Sequence, residues 1–338
     1  MVGGALRIMA NSYLVTGGTG FLGSALVRRL VQQGHSVRVL DNNYRGRISR
    51  LDDVQDRIEF VEADIRDASA VDRAVEGIDV VVHLAFINGT RWFYSHPELV
   101  LDVGVRGMLN VLDACMKRGV GELVLASSSE VYQTPPRVPT DETVPLTIPD
   151  PHNPRYSYAS GKLISEMLAI NFGRKHFRRV VIFRPHNVYG PDMGFEHVIP
   201  QFALRAKRLC SQQPDPSRPM VFPIQGTGRQ RRAFIFIDDF IDGLSLVMRS
   251  GQHLGIYHIG TDEEVSISRV AKMVGRYFKR KVIIQPGPPA EGGTLRRCPD
   301  IGRIRALGFR PRYSLARGLV IAARWYDENS ALAPEGSY

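Results

Sequence analysis

Cysteine is scarce in this 338-residue chain: there are three, Cys115, Cys210 and Cys298, none with a paired metal-ligand spacing. That argues against a disulfide framework and a zinc motif, so no metal is expected and a reducing, cytoplasmic setting fits best. Long apolar runs are missing as well. The longest, Val80–Ile87, already contains His83, and a membrane span needs roughly 20 such residues. No membrane association is expected, and no secretory leader is read ahead of the first strand at Tyr13. Acid is in deficit, with 34 Asp and Glu against 44 Lys and Arg and a net charge of +10. A nucleic-acid binder is one reading of that excess. The basic residues are spread along the chain, however, with local groups at Arg45/Arg47, Arg229/Arg231/Arg232 and Arg296/Arg297. This suits a solvated basic surface plus arginines that hold an anionic small molecule. No nucleic-acid partner is expected.

What is present is an alternation. Short β-branched runs at Tyr13–Thr16, Ser36–Leu40, Ile58–Val61, Val80–Leu84, Leu123–Ser127 and Val180–Arg184 are separated by amphipathic stretches. Phe21, Leu22, Ala25, Leu26 and Leu30 fall at helical spacing, and Gly34 supplies a stop. Such alternation predicts an α/β fold, a doubly wound parallel (Rossmann) sheet covered on both faces, with ligands at the carboxyl ends of its strands. From about residue 186 the pattern breaks up, and a smaller mixed α/β lobe is expected. The division read is residues 10–185 for the sheet domain, with 234–260 returning to it and a strand at Phe234–Ile237, and residues 186–233 with 261–328 for a substrate-binding lobe. Residues 1–9 and 329–338 read as disordered tails. The Pro-rich stretch Pro135–Pro154 interrupts a strand–helix unit, so an active-site loop is expected rather than a linker.

Thr16-Gly17-Gly18-Thr19-Gly20-Phe21-Leu22-Gly23 joins the first strand to the first helix. Gly17, Gly20 and Gly23 suit a tight turn, close approach to a pyrophosphate and close helix–sheet packing, with a helix N-terminus facing the phosphates. A glycine-rich turn also occurs as plain structure. Here the flanking strands and Asp41, at the end of the second strand, add weight. An acid there bonds ribose hydroxyls and repels a 2′-phosphate, which favours NAD over NADP, with Arg45 and Arg47 nearby as the opposing consideration. Asp64-Ile65 falls where the adenine edge would lie, or Asp64 caps a loop.

Tyr158 and Lys162 lie four residues apart in a predicted helix, on one face. An ammonium one turn from a phenol stabilises its phenolate, which makes a tyrosine usable as a general base. Such a pair is also common on surface helices. The strand end Ala126-Ser127-Ser128-Ser129-Glu130-Val131-Tyr132 could supply a hydroxyl relay, or could simply cap the next loop.

With these motifs together the sequence resembles the extended short-chain dehydrogenase/reductases, in the nucleotide-sugar epimerase/dehydratase family. The resemblance spans about residues 12–328. It rests on the glycine-rich turn, His83-Leu84-Ala85, the Ser128 strand end, Tyr158-xxx-Lys162 and Arg184-Pro185-His186-Asn187-Val188-Tyr189-Gly190-Pro191. Phe234-Ile235-Phe236-Ile237-Asp238-Asp239 and Arg297-Cys298-Pro299-Asp300-Ile301 continue it. The resemblance implies Tyr158 as base, Ser128 as proton relay, and Lys162 orienting the nicotinamide ribose. The NAD site would comprise Gly17, Gly20, Phe21, Leu22, Gly23, Asp41, Asn42, Asp64, Ile65, Leu84, Ala85, Tyr158, Lys162 and Pro185. Asn187, His197, Val198, Arg232 and Arg297 match positions that hold a nucleotide diphosphate, and Arg91 is a candidate for the sugar. A homodimer paired through the helices at Glu98–Arg118 and Ser157–Lys175 is also implied.

Three positions depart from the family: Gly104 where asparagine is usual, Met108 for threonine and Gln133 for glycine. None removes a catalytic group. The expected chemistry is transient oxidation at C4 of a nucleotide-diphosphate sugar, followed by 4-epimerisation, 4,6-dehydration or uronate decarboxylation. Glu130, a candidate second base at C5, leans toward the last two. A loop-anchoring role for it stays open, as do a catalytically retired NAD-binding module and a reductase of a small carbonyl compound.

Overall fold

A parallel strand covered by helices on both sides must bury both of its faces, and this chain's strands do so by alternation. The protein is described by a computed structural model covering residues 10–288 and 294–334. Its first half runs β1 (Ser12–Thr16), α1 (Phe21–Gln32), β2 (Ser36–Asp41), β3 (Glu59–Glu62), α2 (Ala68–Val75), β4 (Val80–His83), α3 (Thr90–Ser95), α4 (Pro97–Arg118), β5 (Glu122–Ala126), α5 (Ser157–His176) and β6 (Arg179–Pro185). Val124 and Ala126 of β5 enter one core with α1, whereas Leu123 and Leu125 enter the other with α2, α4 and α5. Val181 and Phe183 against Val180 and Ile182 repeat the division on β6.

The second half comprises β7 (Val188–Tyr189), α6 (Val198–Gln212), β8 (Met220–Ile224), β9 (Arg231–Ala233), β10 (Ile235–Phe236), α7 (Ile237–Ser250), β11 (Gly255–Ile259), β12 (Glu264–Ser266), α8 (Ile267–Tyr277), β13 (Val282–Pro286), β14 (Arg296–Arg297), α9 (Gly302–Ala306) and α10 (Leu315–Glu328). The main sheet has seven parallel strands in the order β3-β2-β1-β4-β5-β6-β11. The order reverses between β1 and β4, and a doubly wound sheet opens a crevice beyond its carboxyl edge at that point. Helices α6, α8 and α10 pack on one another and share the core of α1 and α7, so the two halves have one continuous interior.

Two expectations need correction. The strand read at Phe234–Ile237 is only the two-residue β10, paired with β7 outside the main sheet, because Ile237 already opens α7. The return to the sheet is made by β11, which pairs with β6. The chain also does not lose order at 329. The Asn329 N–H bonds Trp325 O at 2.9 Å and the Leu332 N–H bonds Asn329 O at 3.0 Å, which extends the end of α10 by a turn. Residues 1–9 and 335–338 lie outside the described residues.

The loop between β5 and α5 is tied to the second half of the chain. Thr140 N–H bonds Cys298 O at 2.9 Å, and Asp300 N–H bonds Thr140 O at 2.7 Å. Arg184 on β6 makes a two-pronged pair with Glu166 on α5, at 2.8 and 2.6 Å, with both side chains buried. That pair fixes α5, and with it Tyr158 and Lys162, against the sheet.

Candidate active site

At the turn after β1 the backbone is so closely approached that only glycine fits. Gly17 has φ +74°, and a Cβ there would lie 2.7 Å from Ala85 N, while a Cβ on Gly23 would lie 2.2 Å from Gly17 O. The turn therefore lies against β4 with no side chain between the N-terminus of α1 and the crevice. This crevice is a cavity of about 530 Å³, in the range of small-molecule sites.

All the residues assigned above to the dinucleotide line it: Gly17, Gly20, Phe21, Leu22, Gly23, Asp41, Asn42, Asp64, Ile65, Leu84, Ala85, Tyr158, Lys162 and Pro185. Asp41 is buried, and its carboxylate accepts the N–H groups of Thr19 at 3.0 Å and Asn43 at 2.9 Å. Arg45 and Arg47 are held in ion pairs, although Arg45 and its partner Glu196 both border the cavity. Arg45 pairs with Glu196 at 3.2 Å, and Arg47 and Arg50 both pair with Asp192. Asp64 both borders the cavity and caps its own loop. It holds Arg66 and Asn42, and these bonds, those of Arg66 above all, lower its carboxyl below the usual range. His83 bonds Thr16 Oγ1 at 2.8 Å, and burial pushes its imidazole down to about 3, so it is a neutral strap between β4 and β1. The glycine cradle, the α1 N-terminus and the Asp41 carboxylate together fit a dinucleotide whose ribose carries free hydroxyls. NAD should bind at least about tenfold tighter than NADP, or about 1.4 kcal/mol, and Asp41→Ala should narrow that gap in calorimetric titration.

The second group of side chains meets beyond β5 and β6. Ser128 caps the turn at 129–132, accepting the Glu130 N–H at 3.1 Å, and its hydroxyl is near enough to the phenol of Tyr158 to act on its protonation. Burial raises the Tyr158 phenol above its ordinary value, with Ser128 acting against that rise and the charge of Glu130 adding to it. Lys162 Nζ donates to Ala126 O at 2.7 Å. Burial pushes this ammonium down to about 7, and Glu166 acts in the opposite sense. Glu130 Oε1 accepts from Arg297 Nη1 at 2.6 Å. Burial acts to raise Glu130, but Arg297, then Arg155 and Arg232, outweigh it and hold the carboxyl below its usual range.

Of the residues assigned to substrate, Ser128, Asn187, His197, Val198 and Arg297 line the same cavity. His197 stands at the N-cap position of α6 without a side-chain capping bond, so the N-terminal end of that 15-residue helix borders the site. Arg91 and Arg232 do not line it. Arg91 is exposed on α3, and the Arg232 guanidinium is drawn toward the carbonyls of Thr294 at 2.6 Å and Arg231 at 2.8 Å. Three residues were missed by the sequence reading. Phe86 and Phe93 flank the Tyr158 ring at 5.1 and 5.0 Å. Arg155 acts on Glu130, and among the described residues its Nε has no hydrogen-bond partner. Its place, one helical turn before Tyr158, was the available signal.

Comparison with known proteins agrees with this geometry. The model of the NAD dependent epimerase/dehydratase family matches residues 13–260. A dTDP-glucose 4,6-dehydratase of Streptomyces niveus is 31% identical over 332 residues, covering 94% of this chain and 93% of the relative. A UDP-N-acetyl-alpha-D-glucosaminuronate decarboxylase of Bacillus cytotoxicus is 29% identical, covering 95% and 99%. The UDP-glucose 4-epimerase of Thermus thermophilus, solved in complex with NAD, superposes with a TM-score of 0.81 at 28% identity, covering 94% of this chain and 99% of that one.

Proposed function

The chain belongs to the NAD-dependent epimerase/dehydratase family, and we propose that it oxidises C4 of a nucleotide-diphosphate sugar and then works at C5 through Glu130. The observation that carries this reading is the convergence of Ser128, Tyr158, Lys162 and the Arg297-held Glu130 on one cavity. NAD, when bound, supplies the acceptor for the C4 hydride. Tyr158 takes the C4 hydroxyl proton through Ser128, and the charge on Lys162 favours the phenolate that does so. The ketone at C4 then acidifies the C5 proton, and Glu130, ionised beside Arg297, is the base placed for it. Asp41 and the glycine turn select NAD.

In this reading residues 10–185 and 234–260 hold the cofactor, and residues 186–233 and 261–328 hold the nucleotide sugar. Asn187, Arg297 and the α6 N-terminus at His197-Val198 face the diphosphate, since a helix N-terminus and a guanidinium both favour phosphate oxygens. Arg232 and Arg91 come into contact only if side chains rearrange when substrate binds. The three guanidiniums of Arg155, Arg232 and Arg297 around a single Glu130 also favour a sugar that is itself acidic. In a uronate the C4 ketone lets the C5–C6 bond break to release carbon dioxide, its electron pair passing to the ketone as an enolate that then takes a proton at C5. That reaction removes no C5 proton.

Incubation with a panel of nucleotide sugars, neutral and acidic, followed by product mass tests the proposal. Loss of water supports it, whereas loss of carbon dioxide would support the C4 oxidation and remove the C5-base role of Glu130. A product of unchanged mass and new retention, formed without exchange of the C5 proton, would leave a 4-epimerase. Substrate-dependent appearance of the reduced-nicotinamide absorbance separates an active enzyme from a retired NAD-binding module. Competition by free nucleoside diphosphates separates it from a reductase of small carbonyl compounds.

Two further features belong to the proposal. Leu109 on α4 and Ile164 and Met167 on α5 are exposed at 36%, 37% and 56%, on helices that pack side by side. A C2 homodimer would cover them with the same helices of a second copy. Sedimentation should give a dimer at micromolar concentration, and a stable monomer would remove this part. All three cysteines are free thiols, which suits a cytoplasmic protein.

A further inference from the structure

Lys162 is a buried ammonium with few partners. Ala126 O takes one of its three N–H donors at 2.7 Å. Glu166, one turn along α5, is occupied on both oxygens by Arg184 of β6. His83 on β4 is neutral and Tyr158 is a protonated phenol, each from the burial described above. What remains is aromatic: the Phe86 ring, its centroid 4.1 Å from Lys162 Nζ, and at the longer distance of 5.9 Å the Tyr158 ring. The Phe86 ring has its position because two helices leave room for it. A Cβ on Gly104 of α4 would stand 2.3 Å from the Phe86 Cζ, and a Cβ on Gly161 of α5 would stand 2.8 Å from the same atom.

We infer that Phe86, seated in the slot between Gly104 and Gly161, is a positioning residue that holds the Lys162 ammonium charged and aimed at the crevice. The unusual glycine at 104 and the phenylalanine at 86 form one device. A π face attracts a desolvated cation, and the attraction is strongest where water is excluded. With one N–H on Ala126 O and another over the ring, the third is left toward the cavity. This inference rests on the role proposed for Lys162, but it concerns the lysine itself and is measurable without a sugar.

Phe86→Leu keeps apolar volume and removes the π face. The lysine should then lose its proton about one pH unit lower, read from the ε-carbon resonance of labelled Lys162 in the NAD-bound protein. The rate should follow. A base on Tyr158 and a charged Lys162 together make activity rise with pH until the lysine begins to lose its proton, then level off. In Phe86→Leu the levelling should come earlier. Its deficit should be slight on the acidic side and about tenfold on the alkaline plateau, in kcat rather than in KM for the nucleotide sugar. Gly104→Ala should reproduce the effect by expelling the ring, although alanine suits a helix better than glycine. Adding Gly104→Ala to Phe86→Ala should cost nothing more.

An unshifted Lys162 resonance in folded, NAD-binding Phe86→Leu and Gly104→Ala would overturn the inference and make Phe86 mere filling. A shifted resonance in an enzyme that turns over no nucleotide sugar would keep it and sink the proposed function instead.

Discussion

Tyr158→Phe should abolish C4 oxidation while leaving the protein folded and both ligands bound. The ring is flanked by Phe86 and Phe93 at 5.1 and 5.0 Å, and phenylalanine preserves both contacts, so the variant loses one oxygen and no packing. General base catalysis alone contributes about 10²–10⁴-fold, and the loss should be at least that, because here the same group also starts every later step. Reduction of bound NAD on mixing with nucleotide sugar, followed in a single turnover, measures it directly. The pH dependence has a definite sign. Burial raises the Tyr158 phenol, so the phenolate is the minor form and grows with pH. Lys162, held down to about 7, must stay protonated to support it. The wild-type rate should therefore climb with pH and level off near the lysine value, and Tyr158→Phe should lose the climb. Ser128→Ala should cost less, since water could take over part of the relay. A Tyr158→Phe enzyme that still reduces bound NAD at the wild-type rate would move the base elsewhere.

Much of this site was legible in sequence because its chemistry sits on rigid, periodic elements. At Gly17 and Gly23 the residue type itself carries the packing constraint: no other side chain passes Ala85 N or Gly17 O at 2.7 and 2.2 Å. Tyr158 and Lys162 share a face because α5 is a helix from Ser157 to His176, within a residue of the predicted bounds. Where packing across distant segments decides, sequence reading loses its hold. Arg232 and Arg297 look alike in sequence and lie on paired strands, with Arg297 opposite Arg232. Only Arg297 reaches Glu130, because nearby backbone carbonyls take the other guanidinium. Likewise Gly104 read as a departure from the family. Its meaning emerges only when Phe86, 18 residues earlier in the chain, is found in the vacated space. Within the segment 234–260 read as returning to the sheet, the strand β11 itself was not picked out, for a related reason. It is five residues of ordinary β-branched and aromatic character, and only its partner β6 makes it part of the sheet.

Glu130→Gln is the change that separates the reactions open to the family. The substitution keeps the size of the side chain and removes its charge. Arg297 loses a charged partner at 2.6 Å, and the carboxylate that bore the base is gone. If Glu130 takes the C5 proton, the variant should still reduce bound NAD when nucleotide sugar is added, because Tyr158, Ser128 and Lys162 are intact. It should then stall at the 4-keto stage, with overall turnover down by about 10²-fold or more and no exchange of the C5 proton with deuterium from solvent. Loss of Glu130 also removes a negative charge that raises the Tyr158 phenol, so the oxidation step itself should hold steady or quicken slightly. That opposite response of the two half-reactions is a signature a loop anchor would not give. If Glu130 only anchors the turn at 129–132, both half-reactions should slow together, the product should be unchanged, and the wild-type enzyme should finish its reaction without C5 exchange. That combination would leave 4-epimerisation as the surviving reaction, with Arg297 free to serve the diphosphate alone.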